Sequence, residues 1–257
     1  MAGRIGESLA DSAYKARWPD HWLSHLAQVL PYYPADSLAL KVYKEIVAEV
    51  DEATFYIDNL PVLKLFAEGL IDWRLGNRAL LLTTIAALES ADSVVTRGLW
   101  YSTDSTAERK LSVSFGRTLA ALQSWTDGDA PSALESLHSA RFETRPTSIS
   151  NPWLRQAVTR FLLGEVLRSE GRHEEALRWY RSVWGGDWNS ATIRLAAPSI
   201  YGVAMCHDQL GHVDEAVDYY SRFIDLWKDA DERLQPWVQE ARESLDRLLE
   251  EQAKEPS

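Results

Sequence analysis

One cysteine and six histidines are the side chains with which this chain could do nucleophilic or metal chemistry. Cys206 and His207 are neighbours in the sequence. On a helix, adjacent residues point about 100° apart, so the pair cannot form a nucleophile–base hydrogen bond. The expected arrangement is a small packed residue beside an exposed one. His21 and His25 stand four residues apart on one helical face. No glutamate follows His21 as in zinc proteases, and no third ligand presents itself. His173 and His212 follow glycines in turns, where solvent is expected to reach them. Asp225, Asp229, Asp231 and Glu232 form an acidic run without the central glycine of a calcium loop. Asp127-Gly128-Asp129 reads as a turn followed by a helix cap, and Gly185-Gly186 fits no phosphate-binding pattern. No Gly-x-Ser-x-Gly or P-loop sequence occurs. The expectation is a protein that is not an enzyme, with no catalytic residue, cofactor or metal.

Composition narrows the partners. The 257 residues are 46% apolar and 25% charged, enough to bury a real core. A net charge of −11 argues against a nucleic-acid surface and favours a basic or neutral partner. With one cysteine no internal disulfide can form, which suits a reducing, cytoplasmic setting. Met1–Leu9 lacks the apolar core of a signal peptide. The run around Ala79–Leu88, broken by Thr83 and Thr84, is too short to span a bilayer. No membrane insertion is expected. Eleven tryptophans are many, and in a helical protein they fill cores or mark interfaces.

The elements that must position these residues are helices. Strand alternation and hairpin dipeptides are scarce. Val238, Ala241, Leu245 and Leu248 recur at helical steps, with Glu240, Arg242, Glu243, Asp246, Arg247 and Glu250 on the other face. Pro236 and Asn151-Pro152 are placed as prolines tolerated in a first turn. The fold class is all-α.

Four glycines set a repeat: Gly76, Gly128, Gly171 and Gly211, at intervals of 52, 43 and 40 residues. Five residues after each come Leu81, Ala133, Ala176 and Ala216; nine after, Ile85, Leu137, Tyr180 and Tyr220. Twelve after come Leu88, Ala140, Val183 and Phe223; seven before stand Gly69, Ala121, Gly164 and Ala204. A turn between antiparallel helices favours glycine, which accepts positive φ. Small residues fit where the helices cross, Ala176 against Gly164 and Ala216 against Ala204, and the larger residue a turn later fills the space between hairpins. Each hairpin leaves an apolar face open, so stacking supplies the core.

On these residues the chain resembles the tetratricopeptide repeat family. Leu163-Gly164, Leu167, Gly171, Ala176 and Tyr180 carry the resemblance best, followed by Ala204, Gly211, Ala216 and Tyr220. The long intervals make the repeats degenerate, with Asp92–Thr106 and Gly185–Ala197 as insertions. A finer resemblance, over about Asn151–Leu249, is to the C-terminal repeat regions of large bacterial Ser/Thr kinases and transcriptional activators. It rests on Glu174-Glu175-Ala176-Leu177-Arg178-Trp179-Tyr180, Tyr219-Tyr220-Ser221-Arg222-Phe223, Leu226-Trp227-Lys228-Asp229-Ala230-Asp231, Leu234-Gln235-Pro236 and Glu240-Ala241-Arg242. The chain is similar to that repeat portion alone. The resemblance implies a superhelix (solenoid) of degenerate α-α hairpins with a capping helix. Residues 1–60 would hold N-terminal helices, among them a degenerate hairpin turned by Pro31 and Pro34; 61–110 a weak hairpin with an insertion. Residues 111–235 would form three hairpins, 236–251 the cap and 252–257 a tail. The implied function is a non-catalytic protein- or peptide-binding scaffold in bacterial signalling or transcription. The alternative is a small-ligand receptor or an enzyme with a site buried in the helical array.

The resemblance also implies a groove lined by the first helix of each hairpin, at positions ten, six, three and two residues before the turn glycine. These are Phe66, Leu70, Trp73 and Arg74, then Thr118, Leu122, Trp125 and Thr126. Phe161, Glu165, Arg168 and Ser169 follow, then Tyr201, Met205, Asp208 and Gln209. Family members that clamp a peptide carboxylate carry Lys, Asn and Arg there, whereas this chain carries apolar and aromatic residues. Either they grip a partner as an aromatic strip, with Trp73 and Trp125 at its centre, or an irregular stack closes and they are core.

Overall fold

A computed structural model describes residues 9, 19–50, 60–90, 105–142, 153, 156–184 and 193–254. Asn151, Pro152, Trp100, Tyr101 and Gly185-Gly186 lie outside these, as does most of each expected insertion. Every regular element among the described residues is helical. The chain divides into two compact units, Asp11–Thr159 and Arg160–Ser257, the latter joined by Met1–Ala10.

In the first unit, α1 (Pro19–Val29) and α2 (Ser37–Ala48) precede two hairpins, α3 (Leu60–Leu75) with α4 (Arg78–Ser90) and α5 (Ser105–Thr126) with α6 (Ala130–Ala140). α2 starts where Asp36 accepts a bond from the Ala39 backbone N–H at 2.8 Å. Asp129 caps α6 in the same way through Ser132, with Pro131 in the first turn. The long helix α3 touches α1, α2, α4 and α5.

In the second unit, α7 (Ala157–Ser169) with α8 (His173–Trp184) and α9 (Ile193–Gln209) with α10 (Val213–Trp227) form two more hairpins. A short 3-10 turn (Glu232–Leu234) leads into α11 (Gln235–Lys254), which packs on α10. Glu174 and Glu175 open α8, and Asp214 and Glu215 open α10, where carboxylates oppose the positive end of the helix dipole.

The four turns share one backbone geometry. Gly76, Gly128, Gly171 and Gly211 have φ between 72° and 82°. Each glycine N–H donates to the carbonyl three residues back, and the next N–H to the carbonyl five back, at 2.8–3.1 Å. This Schellman pairing closes the first helix and leaves the residue after glycine as the start of the second. From there the repeat spacing reads directly into burial. All residues five, nine and twelve positions after the glycines are buried, including Leu81, Ala133, Ala176 and Ala216 at 0% exposure. The small residues seven before are buried as well. The neighbour that a β-carbon at Gly164 would strike is the ring of Tyr180, one turn beyond Ala176.

Among the described residues no helix is long and apolar enough to cross a membrane.

Candidate functional site

The second unit contains an open polar cleft of about 460 Å³. α9 supplies Tyr201, Met205, Asp208 and Gln209 at helical steps of four, seven and eight, which place them on one face. α11 supplies Glu240, Ser244 and Arg247 with the same periodicity, α7 adds Arg168, and His173 and Tyr220 come from the second helices of the hairpins.

Three hydrogen-bonded groups organise the walls. Tyr180 Oη donates to Glu165 Oε1 at 2.6 Å, Arg168 Nη2 donates to Glu165 Oε2 at 3.0 Å, and Arg168 Nε donates to Tyr180 Oη at 3.2 Å. Burial by itself would lower the Arg168 pKa, but Glu165 and Tyr180 outweigh it and hold the guanidinium protonated. Opposite, Arg247 Nη2 reaches both oxygens of Asp208 at 2.7 and 2.6 Å while its Nη1 reaches Glu251. Tyr220 Oη donates to Asp208 Oδ2 at 3.2 Å. Tyr201 Oη donates to Glu240 Oε2 at 3.2 Å, and its ring stacks on Phe223 and Trp237 with centroids 4.6 and 5.9 Å apart.

All three tyrosine hydroxyls are held protonated at neutral pH. Burial raises the pKa of Tyr180, Tyr201 and Tyr220, and Glu165, Glu240 and Asp208 raise them further. Burial likewise pushes the Cys206 thiol up to about 12. What the cleft offers is fixed charge and hydrogen-bond geometry. Among the described residues, no group of three or more His, Cys, Asp and Glu could hold a metal ion.

Five of the expected groove residues, Arg168, Tyr201, Met205, Asp208 and Gln209, line this cleft. Glu165 stands behind Arg168, half-buried, and Phe161 is 2% exposed with its ring near Tyr180. In the first unit the expected positions separate by depth. Phe66, Leu70 and Leu122 have at most 1% exposure, and Phe66 stacks on Phe115 at 4.1 Å with Trp153 edge-on at 6.0 Å. Thr118 is buried too. Trp73 and Trp125 are half-buried, and Trp73 Nε1 donates to Thr126 Oγ1 at 2.8 Å. Arg74 is engaged inside the protein: Nη1 donates to the carbonyls of Leu30 and Tyr33 at 2.8 and 3.0 Å, and Nη2 to that of Ala35 at 3.4 Å.

Several residues escaped the sequence reading. Glu240 and Arg247, from the polar stripe of α11, are exposed and border the cleft together with Ser244, which lies outside that stripe; their four- and seven-residue spacing is the signal that the three share a face. His207 was expected to be exposed but is 4% exposed, its ring stacked on Tyr219 at 5.6 Å and 7°. Tyr219 on α10 and Arg181 on α8 cover it, and neither contact is written in the Cys-His dipeptide. His173, expected in solvent, is half-buried, and its Nδ1 is buried with no hydrogen-bond partner. His25 is buried while His21 is exposed, so the two do not form one accessible surface.

Comparison with protein-family models and with curated proteins finds no match to this chain.

Proposed function

We propose that this chain is a non-catalytic, protein- or peptide-binding scaffold of degenerate tetratricopeptide type, serving as a regulatory or sensory module of a bacterial signalling or transcription system. The observation that carries this reading is the cleft. Arg168, Tyr201, Met205 and Asp208, singled out by their offsets from the turn glycines, line one open cavity between first helices and the last helix. Support for the repeat type comes from the one backbone geometry of the four glycine turns and the shared burial of the positions that follow them. The tyrosines and the cysteine, held in their protonated forms, favour binding over catalysis.

Panning a displayed random-peptide library on the full chain tests the proposal. Met205 is half-buried in the cleft wall, and Met205→Trp fills the space. Selected peptides should bind the wild type and lose at least about tenfold in affinity on Met205→Trp. A variant with unchanged helicity and unchanged peptide binding would show that the cleft is not the site.

A further inference from the structure

The ion pairs at the cleft leave one lining carboxylate without a cation. Arg168 is matched by Glu165 at 3.0 Å, and Arg247 by Asp208 at 2.6 Å and Glu251 at 3.2 Å. Glu240, exposed at the cleft wall, has no cation within ion-pair distance among the described residues; its one hydrogen bond is from the Tyr201 hydroxyl to Oε2. Of the two carboxylates that line the cleft, Asp208 is paired with Arg247 and Glu240 is not, while both lining arginines are already taken by Glu165, Asp208 and Glu251. A cation entering here meets a carboxylate whose Oε1 is still open, while the two arginines that would repel it are already neutralised at contact distance. An anion would have to displace Glu165 or Asp208 from those same arginines.

Resting on the peptide-binding reading above, we infer that the cleft recognises a basic side chain of the partner, arginine in preference to lysine, with Glu240 as its counter-ion and Met205 against its alkyl stem. A planar guanidinium can use Oε1 and share Oε2, which a point-like ammonium does less well. The half-buried thioether of Met205 suits a methylene chain, since long cationic side chains lay their stems on apolar surface and keep the charge at a polar rim. The chain's net charge of −11 adds a long-range attraction for basic segments.

The experiment takes a peptide selected on the full chain and sensitive to Met205→Trp, and replaces each of its arginines in turn by citrulline, the neutral isostere. One replacement should weaken binding at least tenfold. Glu240→Gln should cause a similar loss with wild-type melting behaviour, and on that variant the same citrulline replacement should have little further effect. The wild-type affinity should also fall with added salt. Selected peptides without a basic residue, or binding indifferent to Glu240→Gln, overturn this inference and leave the peptide-binding reading standing. Failure to select any peptide sensitive to Met205→Trp overturns both.

Discussion

The ring of Tyr180 lies so close to Gly164 that a β-carbon there would come within 2.6 Å of both Cδ1 and Cε1. Gly202, on the next hairpin, stands in the same relation, with a β-carbon 2.5 Å from Cζ. One aromatic side chain therefore packs against two helices at points where neither has a side chain. The ring cannot easily retreat, because its hydroxyl is fixed by Glu165 and Arg168. Alanine favours a helix over glycine by about 1 kcal/mol, but overpacking a rigid ring typically costs about 1–3 kcal/mol and should decide the sign. Gly164→Ala and Gly202→Ala are each expected to lower stability in urea denaturation; a more stable protein would mean the ring is not held there.

The turn glycines should behave differently, because nothing lies within 4 Å of a β-carbon at Gly171 or Gly211. Their requirement is conformational, φ of 72°. Replacing either by alanine should cost about 1–2 kcal/mol, the penalty of the left-handed conformation. Asparagine, which tolerates that region better, should cost less. Thermal melts of the four single variants would check the order; equal effects of alanine and asparagine would contradict it.

Arg74 closes the turn between α1 and α2 by donating to three backbone carbonyls. Removing it leaves part-buried acceptors unsatisfied, at about 1–3 kcal/mol for such a loss. Arg74→Ala should therefore destabilise the first unit, and Arg74→Lys should recover only part, since one ammonium cannot reproduce the fork. Hydrogen exchange of the Leu30, Tyr32, Tyr33 and Ala35 amides should rise in Arg74→Ala before exchange elsewhere does.

His207 gives the second unit a pH dependence. Arg181 Nη2 donates to His207 Nε2 at 2.9 Å, so that nitrogen carries a lone pair. The proton then sits on Nδ1 and is donated to His212 Nδ1, 3.1 Å away. His207 is neutral in this arrangement, and protonating its Nε2 sets N–H against the Arg181 N–H. Burial, reinforced by the charge of Arg181, lowers the His207 pKa, against a smaller opposing pull from Glu215. A histidine with a depressed folded pKa binds fewer protons folded than unfolded. Stability should thus be complete above about pH 6.5, the ordinary histidine value, and decline as pH falls through it toward the folded pKa. His207→Gln should flatten that part of the stability–pH curve. A curve unchanged by the substitution would place the dependence elsewhere.

What the sequence by itself determined is the local, periodic part of this protein. Glycine tolerates positive φ without strain, and residues at fixed helical offsets from such a turn must share a face. Gly76, Gly128, Gly171 and Gly211, and the buried positions that follow them, were therefore legible without coordinates. Which first-helix positions stay open was decided only in three dimensions, because exposure depends on what packs over a face. Arg74 and Arg168 occupy nearly the same repeat position, yet the α1–α2 turn folds over the first while the second lines a cleft. His207 is buried by Tyr219 and Arg181 from two other helices. Glu240 borders the cleft while staying exposed because α11 docks on α10 through Val238, Ala241 and Leu248, a matter of helix rotation that a polar stripe leaves undetermined.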